Sequence, residues 1–122
     1  MKTITTDKVP AAIGPYSQAK ISGGFLFASG QIPLDASGNM VEGGITEQTK
    51  QVIQNIAAVL EAAGSDFTKV VKASCFLTDL GNFAAFNEIY AQYFTDKPAR
   101  STFQISALPR GALVEIEIVA EV

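Results

Sequence analysis

Histidine and tryptophan are absent from the 122-residue chain, and cysteine occurs once. Without histidine there is no Ser-His-Asp triad, no Cys-His pair and no imidazole ligand for a metal. A single cysteine makes neither an internal disulfide nor a four-thiolate site, so the expected compartment is reducing and the expected location cytoplasmic. Acid–base chemistry is left to carboxylates, lysine, tyrosine or water. Basic residues are also few, nine Lys and Arg against twelve Asp and Glu, for a formal net charge of −3. They are scattered, whereas phosphate recognition needs them clustered, so nucleic acid is not an expected partner. No apolar run approaches the ~20 residues of a membrane span. The start, Met1-Lys2-Thr3-Ile4, carries no secretory pattern, so neither membrane nor secretion is expected.

Apolar residues make up 48% of the chain, enough for one domain with its own core. No linker, repeat or low-complexity tract divides it. Residues 17–21 and 25–29 read as two strands around Gly23-Gly24, a hairpin signal. Residues 31–44 are loop-like. A helix is predicted over 46–63, with Val52, Ile53, Ile56, Val59, Leu60 and Ala63 at helical spacing and Gly64 as its stop. Residues 70–77 read as a strand whose apolar face is Val71, Ala73, Cys75 and Leu77. A second amphipathic helix covers 82–94, burying Phe83, Phe86, Tyr90 and Tyr93 or Phe94. Residues 100–105 are extended, and 114–122 alternate Val, Ile and Ala with Glu.

The order β-β-α-β-α-β-β predicts an α+β domain, a mixed sheet of about six strands with two helices on one face. Phe25, Phe27, Phe76 and Val119 lie in strands and do not all fit under two helices, so the open face predicts oligomerisation.

Arg100 opens a strand after Pro98-Ala99 and shares parity with Thr102 and Gln104, which points its guanidinium to the polar sheet face. A planar fork there suits a small carboxylate, and it equally suits a surface ion pair. Glu115, with Glu117, interrupts an otherwise sticky strand; it either keeps that edge soluble or lines a cleft in which it holds and polarises water. Cys75 has core parity and no histidine to activate it, so packing is its expected role. Gly14-Pro15 delivers Tyr16 to a strand start as a site wall or a core aromatic. Ser29-Gly30 ends a strand where backbone can approach a ligand closely or simply turn.

Taken in order, several segments resemble the RidA/YjgF family. They are AAIGPYSQ at 11–18, ASGQIP at 28–33, NIAAVLEAAG at 55–64, FAAFNEIY at 83–90, PARS at 98–101, Leu108-Pro109 and VEIE at 114–117, which together span nearly the whole chain. The resemblance implies a chorismate-mutase-like homotrimer with sheets packed inward, helices outward and active sites in the clefts between subunits. It implies hydrolysis of 2-enamine and 2-imino acids, such as 2-aminoacrylate and its tautomer 2-iminopropanoate or 2-iminobutanoate, to 2-keto acids and ammonium. No metal or cofactor is implied. The upstream link is to PLP-dependent dehydratases that release such intermediates.

By motif match, Arg100 clamps the substrate carboxylate and Glu115 positions water and manages the imine proton. Tyr16 and Asn87 line the pocket, and Ser29 and Gly30 contact the ligand. Many relatives carry cysteine two residues after the arginine; here Thr102 stands at that substrate-binding position without a thiol, so either the family uses only backbone there or this member's substrate preference differs. Two other classes remain beside the deaminase: a module that binds a 2-keto acid through Arg100 without turnover, and a ribonuclease or translation inhibitor.

Overall fold

The computed structural model describes the whole chain, Met1–Val122, as six strands and two α-helices. The strands are β1 (Lys2–Ile4), β2 (Ala19–Ser22), β3 (Phe25–Ala28), β4 (Val70–Leu77), β5 (Ala99–Gln104) and β6 (Val114–Glu121). The helices are α1 (Ile45–Ala62) and α2 (Phe83–Tyr93). One sheet runs in the order β1-β2-β3-β6-β4-β5, antiparallel except for the parallel pair β4–β5. This is the expected α+β architecture with one strand more than the element count. The added strand, β1, is too short to show alternation, and pairing with β2 creates it, Ile4 opposite Ala19.

Helix α1 is held at both ends. Glu47 accepts a hydrogen bond from the Gly44 N–H at 2.9 Å. At the other end Gly64, at φ 74°, lets its own N–H reach the Glu61 carbonyl and the Ser65 N–H reach the Leu60 carbonyl, which satisfies two orphan acceptors. Its stripe Val52, Ile53, Ile56, Val59 and Leu60 is essentially inaccessible to solvent, and each such side chain contributes ~1.5–3 kcal/mol of burial. The stripe packs with Leu26, Ala73, Cys75, Leu77, Val114, Ile116 and Ile118 of the sheet and with Phe86 of α2. On α2 it is Phe94 that is buried while Tyr93 faces outward.

Two readings of side-chain direction are corrected. Val71 was expected on the apolar face with Ala73, but a bulge between Val70 and Lys72 shifts the register, so Val70 is buried and Val71 is exposed. Arg100 was expected on the polar face, but it pairs in register with Ala73, a core residue, and Thr102 pairs with Cys75. Both therefore point to the helix side.

The opposite sheet face has no helix over it. Phe25, Phe27 and Phe103 are exposed there, and Phe76 and Val119 are half-buried. No helix is long and apolar enough to cross a membrane.

Candidate functional site

The predicted site residues fall into two groups on opposite faces of the sheet. The first is built on β5 and α2. Arg100 lies on an edge strand beneath α2 and donates from Nη1 to Asn87 Oδ1 at 2.7 Å. Its guanidinium carbon stands 4.6 Å from the centre of the Tyr90 ring and 5.5 Å from that of Phe83. No carboxylate pairs with it; the one ion pair in the chain joins Lys8 and Glu61 elsewhere on the surface. Arg100, Asn87 and Tyr90 border a cavity of about 420 Å³, closed by Pro98 and the C-terminal turn of α2.

Beneath the guanidinium the surroundings are dry. Burial pushes the Cys75 thiol up to about 12, against a smaller opposing pull from Arg100, so the thiol stays protonated and unreactive. Burial likewise raises the Tyr90 phenol to about 12, with Cys75 adding to the effect and Arg100 opposing it. The hydroxyls of Tyr90 and Thr102 are both buried, that of Tyr90 beside Arg100 and that of Thr102 beside Cys75.

The second group lies on the open face. Glu115 on β6 sits opposite Phe76, which stacks on Phe103 with ring centres 6.1 Å apart. Desolvation against this surface raises the Glu115 pKa above the ordinary carboxylate value, and Glu117 two residues on adds repulsion. Gly30 packs directly on its carboxylate: a Cβ built on Gly30 would lie 2.1 Å from Oε1 of Glu115. The segment is fixed by a reciprocal backbone pair between Gln31 and Ile116, at 2.8 and 3.2 Å. Ser29 spends its hydroxyl on the Ser17 carbonyl at 2.6 Å, which ties the Tyr16 segment to the end of β3. Tyr16 is 55% exposed and so is no core aromatic. It shares a cavity of about 620 Å³ with Gly30, Gln31, Ile13 and Arg110.

The chain thus brings Arg100 together with Asn87 and Thr102, and Glu115 together with Gly30, Ser29 and Tyr16. It does not bring Arg100 to Glu115. The two cavities share no lining residue. Sequence reasoning placed Phe83 and Tyr90 in the core and missed their contact with Arg100; the signal was the F-x-x-x-N-x-x-Y spacing at 83, 87 and 90, one face of a helix.

Residues 6–122 match the family described as Endoribonuclease L-PSP. A relative from Capra hircus named 2-iminobutanoate/2-iminopropanoate deaminase is 50% identical over 121 residues, covering 98% of this chain and 88% of its own. Among solved structures, the Rid-family protein YyfA from Yersinia pestis superposes with a TM-score of 0.96 at 52% identity, over 99% of this chain and 98% of that one. TdcF from E. coli, solved with bound serine, gives a TM-score of 0.94 at 36% identity, over 100% and 99% of the two chains.

Proposed function

The chain belongs to the RidA/YjgF family, and from that premise we propose that it hydrolyses 2-enamine and 2-imino acids to 2-keto acids and ammonium. The observation that carries the proposal is a division of labour across the sheet. A cation with free N–H groups stands on one face, and a desolvated carboxylate stands on the other. Each half is idle alone. A second copy laid on the uncovered face joins Arg100 of one subunit to Glu115 of the next and covers Phe25, Phe27 and Phe103 at the same time. Membership of the family supports three such copies, a homotrimer with a site in each cleft.

In the cleft the guanidinium, oriented by Asn87, donates two N–H bonds to the substrate carboxylate. Tyr16, Ser29 and Gly30 form the far wall, and the Thr102 backbone the near one. Glu115 of the partner subunit holds a water against C2 of the C=N group. As the C–O bond forms, Glu115 takes the water's proton and the C=N π pair moves to nitrogen. Glu115 passes that proton to nitrogen, giving the carbinolamine; it then takes the hydroxyl proton and delivers it to the amine as the C–N bond breaks and C=O forms, so ammonia leaves and is protonated to ammonium by solvent water. For 2-aminoacrylate, tautomerisation to 2-iminopropanoate comes first. The imine is already electrophilic, so orientation and one base supply what is needed without histidine. The raised pKa of Glu115 makes it the better proton acceptor. The serine bound to TdcF supports this substrate class, since it too presents a carboxylate beside a nitrogen-bearing carbon.

These substrates arise from PLP-dependent dehydratases acting on serine or threonine, and the reducing setting implied by a lone buried thiol supports a cytoplasmic place for the reaction. The experiment generates 2-aminoacrylate with such a dehydratase and follows keto-acid formation with and without the protein. Acceleration by the wild type and its loss in Arg100→Ala, with assembly intact, is the expected result. No acceleration at any protein concentration refutes the enzyme; tight keto-acid binding without turnover assigns a sensing module instead. RNA incubated with the pure protein is expected to stay intact.

A further inference from the structure

Arg100 is held in an unusual way for an arginine that must recognise an anion. No acidic side chain touches it, and its single hydrogen bond within the chain goes to Asn87, which leaves most of its five N–H groups free. Beside that hydrogen bond, what holds the guanidinium is aromatic. Phe83, Asn87 and Tyr90 stand at i, i+4 and i+7 on one face of α2, and the cation lies over both rings. Tyr90 cannot yield. It is only 6% exposed, stacks on Phe94 with centres 4.2 Å apart at 11°, and packs on Phe86 at 5.7 Å. Its hydroxyl is buried beside the cation, and its ring centre stands 4.6 Å from the guanidinium carbon, so the ring supplies the surface against which the cation packs.

We propose that Phe83 and Tyr90 are positioning residues of the proposed reaction, an aromatic cradle on α2 that orients Arg100 while leaving its charge and donors to the substrate. The proposal rests on the role given above to Arg100. A carboxylate partner would hold the guanidinium equally still, but it would compete with the substrate carboxylate for the same N–H groups. Ring faces and one amide oxygen do not compete. The cradle acts on binding in the ground state and in the transition state alike, so its loss raises KM while largely sparing kcat. It also demands arginine, because the flat, weakly hydrated guanidinium stacks on a ring face as an ammonium does not.

The test measures pyruvate and 2-oxobutanoate binding by calorimetry, and KM and kcat for imine hydrolysis, in the full-length assembled protein. Tyr90→Leu is expected to weaken keto-acid binding and raise KM about 3- to 30-fold with kcat changed by less than about threefold. Tyr90→Phe, which keeps the ring, recovers most of that loss. Tyr93→Leu, on the outward side of the same helix, is the control and leaves KM at the wild-type value. Thermal melting and gel filtration report folding and assembly; if Tyr90→Leu fails to fold, the half-buried Phe83→Leu decides the matter with the same KM-weighted loss. If Arg100→Ala turns over like the wild type, the clamp itself falls. If Arg100→Ala is inactive while the Tyr90 and Phe83 leucine variants bind like wild type, the cradle alone is overturned. A Tyr90→Phe loss as large as that of Tyr90→Leu also overturns it.

Discussion

Gly30→Ala adds one methyl group at the place where β3 leaves the sheet, and the structure gives its consequence. The new Cβ would sit 2.1 Å from Oε1 and 2.7 Å from Cδ of Glu115, where ordinary contact begins at 3.4 Å. The backbone at Gly30 is not left-handed, so alanine is tolerated there, and the group that yields is the end of a flexible side chain. Glu115 therefore moves its carboxylate by more than ~1 Å, and a misplacement of that size costs about 10²-fold in rate, or ~2.7 kcal/mol of barrier. The global fold loses less than ~1 kcal/mol, partly offset because alanine narrows the unfolded ensemble. The dehydratase-coupled assay should show a kcat reduced about 100-fold with KM little changed, since Arg100 still holds the carboxylate. Adding Gly30→Ala to Glu115→Gln should cost nothing further, because both act on the same group. A Gly30→Ala protein with wild-type kcat, or two losses that add, would refute the placement of the base.

Other consequences can be measured separately. Glu115 works as a base only when ionised and its pKa is raised by burial and by Glu117, so the catalysed rate should climb with pH through a value above the ordinary 4.5 and then level off. Glu115→Gln should abolish that limb in a pH–rate profile corrected for the uncatalysed reaction. Cys75→Ala should keep its activity, since the thiol is protonated and sealed in the core, and should cost ~1 kcal/mol in a denaturant melt; a folded, inactive variant would contradict the packing role.

Much of the fold was legible because periodicity marks a buried stripe. The stripe of α1 and its glycine stop, the glycine hairpin and the alternation of β6 all stand in the structure within a residue or two of where the sequence puts them. Alternation also sorted Arg100 with Thr102 correctly. What it cannot say is which of the two faces a helix will cover, and Arg100 reads as outward because arginine is polar. Only α2, the helix just before β5, folding back over it with two rings and an amide, makes the inner face hospitable to a cation. Val71 escaped for a related reason, since a bulge is a decision of the paired strand and leaves no mark in local spacing. Of the site, the residue types were readable, but their separation by the thickness of the sheet was not.

That separation has a genetic corollary. If every working cleft takes its arginine from one chain and its glutamate from the next, two defective alleles can rescue each other. Arg100→Ala and Glu115→Gln subunits, mixed in equal amounts and allowed to exchange, would regenerate intact clefts at about one in four by random assortment. Neither parent alone would have any. A protein whose site lay within one chain would give none in the mixture either. The same arithmetic makes each single lesion recessive in mixtures with wild-type chains, since an altered chain spoils only the one cleft its missing residue would serve, whereas a chain carrying both lesions spoils two.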